Sequence, residues 1–257
     1  TSGRPSSNTW NVRMSIGDTE RATQDRVVSF FKDRDILDYE YLGNLKDAAN
    51  KNIREDRLRA YLRLSGYSQK LIDGAVSKLV KAADDMTHGL YDANHEVYSL
   101  LKYGAKVKET ADGAPKTVYF MDVETPTNND FAIAEEVTVV GRQEKRPDLV
   151  IYVNGIAMAV IELKKSSVSV SNGIRQNLTN QKDGFIAPFF TTMQFCMAGN
   201  ETEGLRYGTI LTGEKYYMEW KPDGFHENED ERDPEDARIM AYCEKLDNLL
   251  LQQIYQM

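Results

Sequence analysis

Apolar residues recur at helical spacing in the first third of the chain and at strand-like density in the middle. Val27, Val28, Phe30 and Phe31 form a stripe behind Asp18-Thr19, either of which can cap a first helix. Leu58, Tyr61 and Leu62 predict a second helix over residues 54–65, ended by Gly66. Ser68 caps a third, with Leu71, Ile72, Ala75, Val76, Leu79 and Val80 on one face. A shorter helix follows at 94–102. Strand-like segments are expected at 105–108, 116–123 and 131–140, with Asp112-Gly113 turning between the first two. Residues 171–184 read as a helix between apolar segments, with strands at 190–198 and 207–211 after it, which suits a crossover onto a sheet. This order of elements predicts an α/β fold preceded by helices.

The densest apolar runs are Leu149-Val150-Ile151-Tyr152-Val153 and Ile156-Ala157-Met158-Ala159-Val160-Ile161, joined by Asn154-Gly155. Asn-Gly between such runs is a hairpin signal. Apolar residues on both faces predict strands in the middle of a covered sheet. A regular two-residue loop would pair Val153 with Ile156 and leave Asp148 and Glu162 on opposite faces. A three-residue loop with Gly155 left-handed, or a bulge of the same effect, sets Asp148 directly across from Glu162. Opposed side chains start roughly 5 Å apart. Lys164 then points to the same face as Glu162. The expectation is the odd loop or the bulge.

A buried strand is a costly place for Glu162 and Lys164 unless they have partners or a task. Two carboxylates without nitrogen or sulfur ligands suit a hard cation such as Mg²⁺, with Mn²⁺ also possible. A neighbouring lysine can orient a metal-bound water or neutralise a phosphoryl oxygen. That combination hydrolyses phosphodiesters. An isolated acid-x-lysine would more often be a structural ion pair; Pro147-Asp148, the hairpin and the apolar flanks favour the chemical reading. Asn128, Asn129 and Asp130 either line the same cleft or serve the turn after Pro126.

Pro147-Asp148 followed by Glu162-Leu163-Lys164 resembles the PD-(D/E)xK nuclease signature. The longer series is more specific. Asn128-Asn129-Asp130-Phe131, Arg146 to Ile151, Val153-Asn154-Gly155 and Val160 to Lys164 resemble the N-terminal nuclease domain of type I restriction enzyme R subunits. Tyr41-Leu42-Gly43-Asn44, Gly66-Tyr67-Ser68 and Tyr217-Met218-Glu219-Trp220 resemble that family too, so the likeness runs over roughly residues 18–222. The resemblance implies a restriction-endonuclease-like mixed central sheet flanked by helices, with an N-terminal helical subdomain. It implies metal-dependent cleavage of double-stranded DNA, in company with methyltransferase and specificity subunits. Asp148 and Glu162 are then metal ligands, with the Leu163 carbonyl as a further one, and Lys164 is the catalytic lysine. The family's Gln-x-x-x-Tyr motif places Gln176 as a DNA-backbone contact or an orienter of the site, but Asn180 stands where tyrosine is expected; the register Gln181 with Phe185 also lacks the hydroxyl. Acids on a helix before the sheet occur in such nucleases, which brings in Glu20 and Glu96. Both are otherwise ordinary helix charges.

The expected division is a disordered tail at 1–17, the helical subdomain at 18–92, the nuclease core at 93–222, and an acidic linker and helix at 223–257 leading to a missing motor domain. No Gly-x-x-x-x-Gly-Lys-[Ser/Thr] occurs, so ATP enters only through motor domains absent from this chain. The net charge of −8 argues against a protein that holds DNA over its whole surface. Local basic patches around Lys164, Lys165, Arg175 and Lys182 remain compatible with it, as does delivery of DNA by other subunits. Two cysteines are too few for a disulfide framework, and their spacing and the three dispersed histidines argue against a zinc or His-rich metal site. With no membrane-length apolar run and no signal pattern, a cytoplasmic protein without membrane contact is expected. The competing reading from another class is a catalytically silent nuclease-fold docking module between motor and methyltransferase core. A standalone nuclease of another PD-(D/E)xK branch fits the terminal segments less well.

Overall fold

A computed structural model describes residues 20–34 and 37–219. The expected N-terminal tail, the Asp18-Thr19 cap, Trp220, the acidic run at 227–236 and the helix after Pro234 lie outside the described residues. The elements in chain order are α1 (Glu20–Lys32), β1 (Glu40–Asn44), α2 (Glu55–Leu64), α3 (Gln69–Asp84), α4 (Leu90–Tyr103), β2 (Ala105–Val107), β3 (Lys116–Val118), β4 (Phe131–Glu135), β5 (Val139–Val140), β6 (Glu144–Lys145), β7 (Leu149–Val153), β8 (Ile156–Leu163), α5 (Val170–Asn180), β9 (Phe195–Asn200), β10 (Gly204–Gly208) and β11 (Met218–Glu219). Seven strands form one mixed sheet in the order β1-β4-β7-β8-β9-β10-β11. The β1–β4 and β8–β9 pairs are parallel and the other four are antiparallel. The fold is α/β, a mixed central sheet flanked by helices.

Helix starts follow local chemistry. The Ser68 hydroxyl accepts from Leu71 N at the start of α3, and Ser169 does the same for Ser171 N at the start of α5. One face of the sheet packs Ile133, Leu149, Ile151 and Ile161 against Val28 and Phe31 of α1, Leu58 and Leu62 of α2, and Leu79 of α3. The other face packs Val150, Tyr152 and Val160 against Phe189, Phe190 and Met193. Several expected boundaries shift. Residues 187–192 form a 3-10 turn rather than the start of a strand, so β9 begins only at Phe195. The expected strand at 131–140 stops at Glu135, because Glu136 takes φ +52° and its N–H turns to the Asp148 carbonyl. β1 was not expected at all, yet it pairs in parallel with β4 at the sheet edge.

The central hairpin decides the register. Asn154 (φ +51°) and Gly155 (φ +80°) make a two-residue turn with both residues left-handed, so Val153 does pair with Ile156. The three-residue loop is absent. Its effect comes from a bulge instead: Ile151 pairs with Ala159 while Tyr152 pairs with Ala157, leaving Met158 as the extra residue. The bulge is held because the Met158 carbonyl accepts from Gln194 N at 2.8 Å and the Ala157 carbonyl from Thr192 Oγ1 at 2.7 Å. From there Leu149 pairs with Ile161, and one further step sets Asp148 opposite Glu162.

Asn154 is fully buried and joins the turn to the preceding loop. Its Oδ1 accepts from Asp130 N at 2.7 Å, and its Nδ2 donates to Phe120 O and Asn129 Oδ1. Asn128, Asn129 and Asp130 therefore serve turn chemistry. They sit at the Val153 end of β7, about 16 Å of strand from Asp148, and do not line its cleft. A Cβ on Gly155 would meet the Arg54 carbonyl at 2.7 Å, besides requiring the left-handed backbone. Gly155→Ala is expected to cost about 2 kcal/mol and lower the melting temperature by roughly 4–8 °C. A thermal melt with an unchanged midpoint would remove the turn from its role in the register.

Candidate active site

The sheet ends where β7 and β8 carry their first and last charged residues. Every residue of β8 is buried, and Glu162 shows 0% exposure. Asp148 enters from the start of β7, and its Oδ2 accepts from Leu163 N at 2.7 Å. Glu162 shares the face of Val160, beneath α5. Close approach of α5 depends on Gly173, where a Cβ would come within 2.9 Å of Ala198 Cβ and 3.3 Å of the Glu162 carbonyl. One turn later Gln176 reaches the same carboxylate, its Nε2 donating to Glu162 Oε2 at 2.6 Å. The other oxygen, Oε1, is buried and receives no hydrogen bond.

Lys164 completes the cluster. Its N–H continues the ladder to Gly199 O at 2.9 Å. Its Nζ lies 2.7 Å from the Leu163 carbonyl, 3.2 Å from Glu20 Oε1 and 3.8 Å from Asp148 Oδ2, with only 12% of the side chain exposed. The ammonium therefore occupies the cationic position beside the carboxylates. Burial pushes the Asp148 carboxyl up to about 6, against the opposing pull of the Leu163 N–H and the Lys164 charge. Burial and then the charge of Asp148 push Glu162 well above the usual carboxylate range. Two acids strained in this direction favour any added positive charge.

Glu20 reaches the cluster from the first turn of α1, which is tied down from two sides. Arg21 Nη2 and Gln24 Nε2 donate to the buried Glu135, while Thr23 Oγ1 donates to Glu201. Glu96 lies exposed on α4, and no contact brings it to the cluster. Beside Asp148 and Gln176 opens a cleft of about 500 Å³, lined also by Glu20, Glu136, Glu144, Lys145 and Arg146. Glu136 lies just past β4, and the last three come from β6 and its end, which periodicity did not single out because that strand has two residues. Of the expected basic residues, Arg175 is bound by Glu214 at 2.8 and 2.9 Å, while Lys165 and Lys182 are exposed.

The sequence matches the family model for the type I restriction enzyme R protein N terminus over residues 19–215. The chain belongs to that family. Among curated relatives, the endonuclease subunit of type I restriction enzyme HindI from Haemophilus influenzae is 33% identical over 160 residues, 59% of this chain and 15% of its own length. The EcoprrI endonuclease subunit of Escherichia coli is 25% identical over 201 residues, 71% of this chain and 58% of its own. The putative MjaIXP endonuclease subunit of Methanocaldococcus jannaschii is 28% identical over 132 residues, 48% of this chain and 12% of its own. The chain thus spans less than two thirds of each of these relatives.

Asn180 stands where the resemblance led to an expected tyrosine. Asn180 is buried, and its carbonyl accepts from Ile186 N as α5 ends. The alternative register is structural as well: Gln181 Oε1 accepts from Leu211 N at 2.5 Å, and its Nε2 lies 3.6 Å from Cys196 Sγ. Gln176 is the residue of this helix that touches the carboxylates. Among the described residues no set of three or more His, Cys, Asp or Glu forms a ready-made metal cage, and no helix is long and apolar enough to cross a membrane.

Proposed function

We propose that this chain is the nuclease region of a type I restriction enzyme R subunit, hydrolysing phosphodiester bonds of double-stranded DNA with a divalent metal and without sequence recognition of its own. The observation that carries this reading is the meeting of Asp148, Glu162 and Lys164 at one sheet end, with a buried carboxylate oxygen that no donor reaches. ATP-driven motor domains outside these residues would bring the DNA, and methyltransferase and specificity subunits of the same system would choose the site.

The donor set fits a hard cation: two carboxylates and a main-chain carbonyl, all oxygen. Asp148, Glu162 and the Leu163 carbonyl would hold Mg²⁺ or Mn²⁺. When bound, the ion acidifies a water and offsets charge on the phosphate. The chain's own residues do the rest. Gln176 fixes one oxygen of Glu162 and leaves the other turned to the cluster. Lys164 donates to a phosphoryl oxygen or to the attacking water as charge develops, and Glu20 steadies its ammonium.

The docking-only reading draws on Asn180, which lacks the expected hydroxyl. Calorimetric titration separates the two readings. Mg²⁺ or Mn²⁺ should bind the wild-type chain and fail to bind Asp148→Ala. Wild-type protein that binds neither ion would rule out the nuclease reading and leave the docking role.

A further inference from the structure

We propose that the β5–β6 hairpin and the turn after α5 form a phosphate rail for duplex DNA beside the carboxylate cleft, with Arg142, Lys145 and Lys182 as its contacts. The proposal rests on the nuclease reading and adds where the duplex is held. The hairpin is fixed against the turn rather than free. Gly141 packs so closely that a Cβ would stand 2.3 Å from the Phe185 carbonyl. Arg142 N donates to that same carbonyl at 3.1 Å, and the tip closes with Gly141 N donating to Gln143 O. Lys145 Nζ sits 4.9 Å above the Phe185 ring, which keeps its side chain extended along the cleft wall. Lys182 lies three residues before Phe185, whose N–H donates to the Lys182 carbonyl.

These cations differ from the ion-paired ones around the site. Arg142 and Lys182 are exposed, Lys145 is half-buried under its ring contact, and none of the three enters an ion pair among the described residues. Arg175 is consumed by Glu214, Arg146 by Glu136 at 2.7 Å, and Lys164 by the carboxylates. Lys145 lies in the wall that holds Asp148 and Gln176, and Arg142 and Lys182 adjoin it through Phe185, so a polyanion laid on the three runs toward the carboxylates. Duplex DNA supplies regularly spaced phosphates, and its bound counterions are released by such contacts. Glu144 opposes the rail, being the acid of the cleft wall that has no ion pair among the described residues.

The test is fluorescence anisotropy of a labelled duplex with the 257-residue chain, every sample carrying Asp148→Asn so that no duplex is cut. Binding constants are taken against salt. The Arg142→Gln/Lys145→Gln/Lys182→Gln protein should lose about 2.7 from the slope of log affinity on log salt, roughly 0.9 for each phosphate contact. Arg142→Gln alone, which disturbs no packing, should lose about 0.9. Glu144→Gln should bind several-fold tighter, and Arg175→Gln/Glu214→Gln should keep the parent slope. An unchanged slope in the triple variant overturns the rail, and so does a parent chain that shows no salt-dependent binding at about 50 mM salt. A failed rail leaves the metal titration and the cutting assays untouched, so the two readings fail separately.

Discussion

Replacing Lys164 with alanine is expected to lower cutting of duplex DNA by the reassembled restriction complex by roughly 10²–10³-fold, with ATP-driven translocation unchanged. The size follows from where the ammonium stands. It is the cationic group in direct reach of both Asp148 and the Leu163 carbonyl, and its stem is largely buried beside them. Removing it takes away the donor that would meet charge building on the phosphate, among side chains buried enough for electrostatic effects to be large. The fold should tolerate the change, because the backbone N–H of residue 164 still pairs with Gly199. Lys164→Arg should not rescue, since the planar guanidinium needs more room than this pocket of carbonyl and carboxylates leaves. Cutting and translocation measured on the same samples make the comparison internal. Equal cutting by wild type and variant would place the chemistry elsewhere.

The cluster was legible in the sequence because strand geometry is strict. Side chains alternate, a hairpin turn sets the register, and two acids fourteen residues apart face each other in only one of the two registers. Of the two expected forms the second is found: Asn154-Gly155 makes the regular two-residue turn, and a bulge at Met158 supplies the offset. Nothing in Ala157-Met158-Ala159 distinguishes a bulge from a straight strand. It is fixed by Thr192 and Gln194, more than thirty residues away in sequence. Gln176 came from the resemblance to the family's Gln-x-x-x-Tyr motif, and Gly173 now explains how its helix comes close enough.

What stayed hidden depends on contacts between distant segments. β1, Glu40-Tyr41-Leu42-Gly43-Asn44, has no strand alternation and only partly buried residues, because it is an edge strand with one neighbour. Its Tyr41 and Asn44 matter through Glu135, to which both donate. Glu20 and Glu96 were indistinguishable as acids on helices. Only the packing of α1 on the sheet, through Arg21 and Gln24 to Glu135, brings Glu20 to Lys164. The β5–β6 hairpin has strands too short for any periodic signal. Phe190 read as the start of a strand because it opens an apolar run, yet it and Phe189 are core residues of a 3-10 turn that covers the sheet.

Asp148→Asn is expected to stabilise the metal-free protein at neutral pH while abolishing metal binding and cutting. The Asp148 carboxyl rises from 3.8 to about 6 on folding, so the folded state prefers it protonated. The sign follows from proton linkage. Stability from this group is fully present below about pH 4, declines as pH rises, and is gone once pH passes 6. The ionised acid then costs the metal-free fold about 3 kcal/mol at pH 7–8. Asparagine keeps an oxygen for the Leu163 N–H and carries no charge, and it also relieves Glu162, whose ionisation Asp148 opposes. The melting temperature of the variant minus that of wild type should therefore be near zero at about pH 4 and climb to roughly 6–12 °C at pH 7.5 without metal. Carboxylates such as Glu40 and Asp122, held below their usual range, act equally in both proteins and cancel in the difference. Adding Mg²⁺ should raise the wild-type melting temperature and leave the variant where it was, closing the gap. A gap that ignores pH, or a variant that gains as much from Mg²⁺ as wild type does, would mean that Asp148 is neither held out of its charged state nor a metal ligand. The expected outcome makes function and instability coincide in one residue: the charge that weakens the empty fold is the charge that the metal requires.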